Sequence, residues 1–504
     1  MVKYYNCFKA KGEANVLSLK SVDLRKVKAE TLAIPVCEDR DIHDDKIITS
    51  LITRAKKLEE FKGDSGEEVV FYNPPELKAE RIILMGLGKL EKLNAESLRA
   101  FAGKAVKKCI NMKLPEVLIV LPSAKKIKME MPLPLEAIIE GACLGNHIFD
   151  KYKEEKKHIP LEKIDFLVTP DVAKSAGKIL KSVTTICEGT IFARDLINTP
   201  SNDKKPEQFT KIIADIAEKE NLKIKIFDEK ELKQNKFGAL LAVAAGSPSK
   251  PRMIILEYNP KGAKKTVALV GKGVTFDSGG INLKPTGSLD EMKSDMSGAA
   301  AVAATLIALA KLKPKIRVVG VIPVVENMLS GDATRPGDIV RSYSGKTVEI
   351  LNTDAEGRLI LIDAISYVVE KYKPETLIDI ATLTGSCVVA LGEKIAGVFS
   401  SDNKLAQSIV SSGEKTYERC WHMPLPDDYK EDLKSDFADL KNIAGSKWGG
   451  AITGALFLAE FVGDTKWAHI DIAGPSYQKK GSDYCGVGGT GFGVRLFCDL
   501  LEKL

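Results

Sequence analysis

Lys265-Thr266-Val267-Ala268-Leu269-Val270 is a nearly unbroken apolar run that opens into Gly271-Lys272-Gly273-Val274-Thr275-Phe276-Asp277-Ser278-Gly279-Gly280. A run without polar alternation has to be covered on both faces, as in a parallel sheet flanked by helices. The four glycines in the next ten residues let the backbone approach other groups closely and take up positive φ. One amine, Lys272, and one carboxylate, Asp277, are therefore placed after a buried strand, where open α/β sheets bind ligands. The stretch contains neither G-x-x-x-x-G-K-S/T nor G-x-G-x-x-G, which argues against a phosphate cradle.

The same alternation runs through the rest of the chain. Lys223 to Phe227, Met253 to Tyr258, Ile316 to Pro323, Val348 to Asn352 and Leu377 to Thr382 read as strands. Helical patterns at Pro206 to Glu220, Ala299 to Leu312 and Leu359 to Lys373 separate them, implying a mostly parallel sheet covered on both faces. Upstream, Thr31 to Val36, Val69 to Tyr72, Arg81 to Met85 and Val117 to Leu121 read as strands, with helices at Leu93 to Met112 and Pro134 to Phe149. At 504 residues the chain is too long for one typical domain. The Lys-rich stretch Lys151 to Lys163 with Pro160 is the expected junction, followed by a long helix from Val172 to Leu196. The expectation is an α/β protein of two domains, residues 1–165 and 166–504.

The candidate chemistry sits in three stretches of the second domain. Lys272, Asp277 and Lys284 lie in the first, and Asp290-Glu291-Met292-Lys293-Ser294-Asp295 places Asp295 just before an Ala-rich helix. The third, Asn352-Thr353-Asp354-Ala355-Glu356-Gly357-Arg358-Leu359, lies where a strand gives way to a helix. In an extended backbone Asp354, Glu356 and Arg358 would share a face, and two carboxylates so close call for a cation between them. No H-E-x-x-H is present, and the histidines lack ligand spacing. Cys387 has no nearby histidine in sequence and reads as packing. What remains is a set of hard oxygen donors, Asp277, Asp295, Asp354 and Glu356, which suits two divalent ions sharing carboxylates. Such ligands do not choose between Zn²⁺, Mn²⁺, Mg²⁺ and Co²⁺.

The segments GKGVTFDSGG, LKP, DEMKSDMSGAAAV and NTDAEGRL resemble the signature of the leucyl aminopeptidase family of cytosol aminopeptidases. INTPSN (Ile197 to Asn202), ATLTGSCVVALG (Ala381 to Gly392) and WAHIDIAG (Trp467 to Gly474) continue the resemblance over roughly the last three hundred residues. It implies a small macro-like amino-terminal domain and a larger catalytic domain that removes amino-terminal residues, leucine and other apolar ones, from short peptides. It further implies that Asp277 and Glu356 bridge two metal ions. Lys272 and Asp295 would complete the tighter site, and Asp354 the exchangeable one. The usual ions would be Zn²⁺ or Mn²⁺, with Mg²⁺ or Co²⁺ accepted at the exchangeable site. Lys284 would polarise the scissile carbonyl, and Arg358 would hold a bicarbonate acting as general base. Met292, Thr382, Leu383 and Gly385 match positions that line the substrate's amino-terminal end. The family also implies a homohexamer, and some bacterial members bind DNA.

Composition narrows the alternatives. A net charge of +6 over 504 residues, with no clustered basic helix, argues against nucleic acid as the main partner. The nine cysteines show no C-x-x-C and read as free thiols of a reducing compartment. Met1-Val2-Lys3-Tyr4-Tyr5-Asn6 has no apolar signal core, and the longest apolar run, Gly298 to Ala310, is too short to span a bilayer. The expected location is cytoplasmic, with no membrane partner. A different metal hydrolase, such as a dipeptidase, is the nearest competing reading.

Overall fold

The computed structural model describes residues 16–504, so the Met1 to Asn6 stretch and Cys7 lie outside the described residues. The chain divides into two compact units. The first runs to Glu188 and takes in Lys480–Val487, and the second comprises Gly189–Lys479 and Gly488–Leu504.

The first unit is built on six strands: β1 (Leu17–Lys20), β2 (Lys28–Cys37), β3 (Glu68–Tyr72), β4 (Lys78–Gly88), β5 (Glu116–Val120) and β6 (Lys163–Leu167), in the order β1-β6-β5-β2-β4-β3. All pairings are parallel except the β3–β4 edge. Leu32, Ile34, Phe61, Ile82 and Leu84 lie in its core, and each such side chain contributes roughly 1.5–3 kcal/mol by leaving water. The four strands expected here correspond to β2 to β5. Both β1 and β6 escape a hydrophobicity reading because each carries polar residues, Ser18 and Asp165, which hydrogen-bond to each other across the pair. The boundary expected between 165 and 166 falls inside β6. The long helix spans Pro170–Asn198.

The second unit holds a nine-stranded sheet. Its strands are β7 (Lys223–Phe227), β8 (Arg252–Tyr258), β9 (Thr266–Gly271), β10 (Gly273–Asp277) and β11 (Arg317–Asn327). Three short strands outside it are β12 (Asp338–Arg341), β13 (Thr347–Ile350) and β17 (Leu440–Lys441). The large sheet also takes β14 (Thr376–Ala381), β15 (Ala396–Ser400), β16 (Cys420–His422) and β18 (Lys466–Asp471). The order is β16-β15-β18-β14-β9-β11-β8-β7, with β10 on β11. Its middle, β18-β14-β9-β11, is parallel, whereas β7 and β8 join antiparallel. Two features depart from the sequence reading. The glycine-rich stretch is partly a strand, β10, and the segment leading to Asp354 sits in the small β12-β13-β17 sheet rather than in the central one.

The helix Ser297–Leu312 covers the middle of the sheet and is buried from Ser297 through Leu309. Small residues let it lie this close. A Cβ at Gly298 would stand 2.1 Å from the Ile380 carbonyl oxygen, so any side chain there would lift the helix off β14. With the turn before it, Met292–Leu312 is the one stretch among the described residues long and apolar enough to cross a membrane, and 83% of its apolar window is buried inside the fold. Burial of that kind marks a core helix.

Candidate metal centre

The carboxyl ends of β10 and β14, the turn before the Ser297–Leu312 helix and the start of the helix Glu356–Tyr372 meet at one place. One oxygen each from Asp277, Asp354 and Glu356 lies within 4.8 Å of the others. Two lysines divide the acidic cluster between them. Lys272 Nζ lies 2.8 Å from both Asp295 Oδ1 and Glu356 Oε1, and donates to the Thr382 carbonyl at 2.8 Å. Lys284 Nζ lies 2.8 Å from Asp277 Oδ2 and 2.6 Å from Asp354 Oδ1. The fold thus gathers Lys272, Asp277, Lys284 and Asp295 from one stretch with Asp354 and Glu356 from another, well separated in the chain.

Local structure explains each placement. Asp277 ends β10, and its Oδ1 accepts from Gly279 N at 2.9 Å and Asn327 Nδ2 at 2.8 Å. The return of the chain needs Gly279 at φ 87°, a conformation that side chains resist. Asp295 follows the 3-10 turn Met292–Ser294, and Thr382 Oγ1 donates to its Oδ1 at 2.7 Å. Asp354 lies in a turn in which its own N–H donates to Asn352 Oδ1. Glu356 is the first residue of its helix, where a carboxylate is favoured by the helix dipole.

Arg358 corrects the extended-backbone expectation. Glu356 and Arg358 are two residues apart on a helix, so their side chains diverge. Among the described residues Arg358 pairs with neither Asp354 nor Glu356. Its Nη1 donates to the Asn442 carbonyl at 2.7 Å, and its buried Nε has no hydrogen-bond partner. Burial pushes its pKa down to about 10, against Glu356 and Asp471, which favour its charge. It stays cationic at neutral pH. Leu383 and Thr384 side chains converge with it on the backbone at Gly454.

The remaining residues expected at the site fall around this cluster. Met292 opens the 3-10 turn before Asp295. Leu383 N donates to Asp471 Oδ1 at 3.2 Å, and Thr384 Oγ1 to Asp471 Oδ2 at 2.7 Å. Gly385 begins the helix Gly385–Leu391, with Thr384 capping it. Cys387 packs in the core and His469 pairs with Asp379 at 2.6 Å, both away from the acidic cluster. Two asparagines went unread in the sequence. Asn327 binds Asp277 and the Thr353 carbonyl, and Asn442 accepts from Leu351 N and Asn352 N and donates to Asn352 O. A polar Glu326-Asn327 closing the apolar β11 run was the one signal available for the first, and Asn442 had none.

The electrostatics favour divalent cations. Four carboxylates face two ammonium groups, leaving two negative charges uncompensated. Burial raises the pKa of Asp295 well above the usual carboxylate range, with Glu356 and Asp277 adding to the rise and Lys272 opposing it. Burial and Glu356 raise that of Asp277, and burial and Asp277 that of Asp354. Asp295 Oδ2 is buried with no hydrogen-bond partner. Orphaned buried oxygens with raised pKa values are what an acidic site shows when judged without its cations. The donor set therefore fits divalent metal.

Residues 191–498 match the catalytic domain of the cytosol aminopeptidase family, and residues 38–156 match its amino-terminal domain. A probable cytosol aminopeptidase of Geotalea uraniireducens is 45% identical over 449 residues, covering 88% of this chain and 90% of its own. One of Clostridium perfringens is 39% identical over 485 residues, covering 94% and 97%. Among solved structures, a mutant of tomato leucine aminopeptidase superposes with TM-score 0.85 at 32% identity, covering 97% of this chain and 96% of that one. The bottromycin maturation enzyme BotP, solved in complex with Mn, gives 0.84 at 32% identity, covering 94% and 99%. The acidic cluster lies inside the matched catalytic domain, and the chain belongs to the cytosol aminopeptidase family of metal-dependent aminopeptidases.

Proposed function

We propose that this chain hydrolyses the amino-terminal peptide bond of short peptides at a centre of two divalent ions. The observation that carries this reading is the partition of four carboxylates between two lysines, Asp295 and Glu356 on Lys272 and Asp277 and Asp354 on Lys284, with an oxygen of Glu356 within 4.8 Å of one from each of the Lys284 pair. Asp277 and Glu356 would bridge the ions, Lys272 and Asp295 would complete one position, and Asp354 the other. Zn²⁺ or Mn²⁺ fits these donors, with Mg²⁺ or Co²⁺ at the Asp354 side. When bound, such a pair polarises a carbonyl and lowers the pKa of a water.

The chain's own residues supply the rest. Lys284, the more open lysine, holds a positive charge beside the reacting carbonyl and stabilises the tetrahedral oxyanion. Arg358 has an unspent Nε–H and a guanidinium fixed by Asn442, which suits it to hold a small planar anion such as bicarbonate as general base. Thr382, Leu383 and Gly385, anchored by Lys272 and Asp471, form one wall of the substrate's amino-terminal pocket, and Met292 an apolar wall. Apolar first residues, leucine among them, follow from Met292 and Leu383. As in the family, a homohexamer is the proposed assembly.

The test is a panel of aminoacyl amides and peptides, each with a free and an acetylated amino terminus. Cleavage of free apolar substrates and none of the acetylated ones is expected. Equal cleavage of both would refute an aminopeptidase. A dipeptidase would split dipeptides and leave a tetrapeptide uncut, whereas this enzyme should shorten a tetrapeptide stepwise.

A further inference from the structure

Ile197-Asn198-Thr199-Pro200-Ser201-Asn202 carries part of the family resemblance, yet none of its side chains belongs to the acidic cluster. The segment leaves the carboxyl end of the helix Pro170–Asn198 and turns through Ser201–Asp203. Ser201 Oγ donates to the Thr275 carbonyl at 2.7 Å, on β10 two residues before Asp277. Lys204 follows, with 0% of its surface exposed. Its ammonium donates to the carbonyls of Leu196 at 2.8 Å, Ile197 at 2.9 Å and Lys293 at 2.7 Å, and lies 3.4 Å from Met296 Sδ.

A buried ammonium without a carboxylate is unusual, because taking a charge out of water is costly unless its hydrogen bonds are met. Among the described residues no carboxylate pairs with Lys204. Burial, reinforced by the Lys293 charge, lowers its pKa well below that of an ordinary lysine. Two of its acceptors are last-turn carbonyls of the Pro170–Asn198 helix, which lack intrahelical partners and carry the negative end of the dipole. The third belongs to the Met292–Ser294 turn, immediately before Asp295. Asp295 is gripped on its side-chain face by Lys272 and Thr382. Lys204 grips the backbone of the same turn from behind.

We propose that Lys204 is a positioning residue for the metal centre: it ties the turn that presents Asp295 to the end of the Pro170–Asn198 helix, while Ser201 ties the strand that presents Asp277 to the same segment. The inference rests on the two-ion reading above. An ion held by Asp295 is then held by a carboxylate whose backbone is fixed in advance, and loss of the clamp should weaken that ion specifically. A lysine that served only to fill the core would, when replaced by methionine, change stability and leave metal affinity alone.

The test is titration of metal-free, full-length Lys204→Met with Mn²⁺, alongside wild type and Asp295→Asn. The expected result is a fall of about 10–100-fold in affinity for the ion that Asp295→Asn loses. The other ion should bind unchanged, and kcat should recover at saturating Mn²⁺. Wild-type affinity for both ions in Lys204→Met would overturn the proposal and leave the two-ion reading intact. A wild-type enzyme that binds one ion contradicts the two-ion reading instead, and the clamp is then judged on that ion. Should Lys204→Met not fold, hydrogen exchange of the metal-free wild type decides. Ser294 and Asp295 amides protected as in the metal-loaded enzyme support the clamp, and exchange at open-loop rates rules it out.

Discussion

The two lysines of the acidic cluster look alike in sequence and stand in different surroundings. Lys272 has 4% of its side chain exposed, and its partners Asp295 and Glu356 have 8% and 3%. Lys284 has 16% exposed and one partner, Asp354, has 32%. Burial pulls the Lys272 pKa down, but Asp295, Glu356 and Asp277 more than offset it and hold the ammonium charged. The same balance, with Asp277 and Glu356, raises that of Lys284. Both are thus cationic without metal, yet only Lys284 has room to turn toward a substrate. One half of the cluster is closed and the other open to solvent, which on the proposed reading suits Lys272 to ligate an ion and Lys284 to face a substrate.

Breaking the closed half should have the largest effect. Lys272→Arg keeps the charge but has no lone pair to give a metal and no room to place a larger fork. A Cβ at Gly357 would already stand 2.6 Å from Lys272 Cε, so the channel for this side chain is full. The variant should lose one equivalent of metal and essentially all turnover, measured by elemental analysis and peptide hydrolysis. Lys284→Ala should do less and do it differently, with both ions retained and kcat down by about 10²–10³, the scale for removing one oxyanion donor. Identical metal contents and rates for the two variants would erase the distinction between the halves.

A smaller effect is expected behind the open half. Asn442→Ala removes the acceptor for Leu351 and Asn352 and the donor to Asn352 O. Leaving those groups unmet costs about 1–3 kcal/mol, read as a lower Tm, and the loosened Asp354 turn should weaken the exchangeable ion while the Asp295 ion stays.

The smallest effect on activity lies on the same helix as Glu356 but outside the centre. Burial pushes Asp363 up to about 7, although backbone N–H groups of Leu240, Tyr343 and Ala239 favour its ionised form. A carboxyl whose folded pKa exceeds its unfolded value near 3.9 stabilises the fold below that value. The contribution is lost as pH rises toward 7. Metal-free wild type should therefore lose up to a few kcal/mol between about pH 4 and 7, and Asp363→Asn should flatten that slope in thermal melts. An unchanged slope would mean that the N–H donors keep Asp363 ionised throughout.

These contrasts also mark what could be read from the chain. The apolar run at 265–270 was enough to place β9 in the middle of a covered sheet, because no other environment tolerates it. The acidic residues were legible through the motifs that carry the family resemblance, since a D-x-E-x-R pattern alone more often marks a solvated strand. What escaped depends on tertiary contact. Lys272 and Lys284 are twelve residues apart, and nothing local says that one faces Asp295 and the other Asp354. Glu356 starting a helix, rather than ending a strand, sends Arg358 toward Asn442. The polar strands β1 and β6 have too little hydrophobic alternation to announce themselves. Asn442 and Lys204 bond to backbone carbonyls or amides, and Asn327 to a backbone carbonyl and a carboxylate fifty residues away, partners that leave no mark in the sequence.

The claim on which the rest depends is that two divalent ions share Asp277. Metal content per chain, measured by elemental analysis on freshly purified wild type and Asp277→Asn, tests it most directly. Two ions in the wild type and near-complete loss of both in the variant are the predicted result, since removing a bridge weakens both positions together. A variant that keeps the full wild-type complement, or a wild type that never binds more than one, would contradict it.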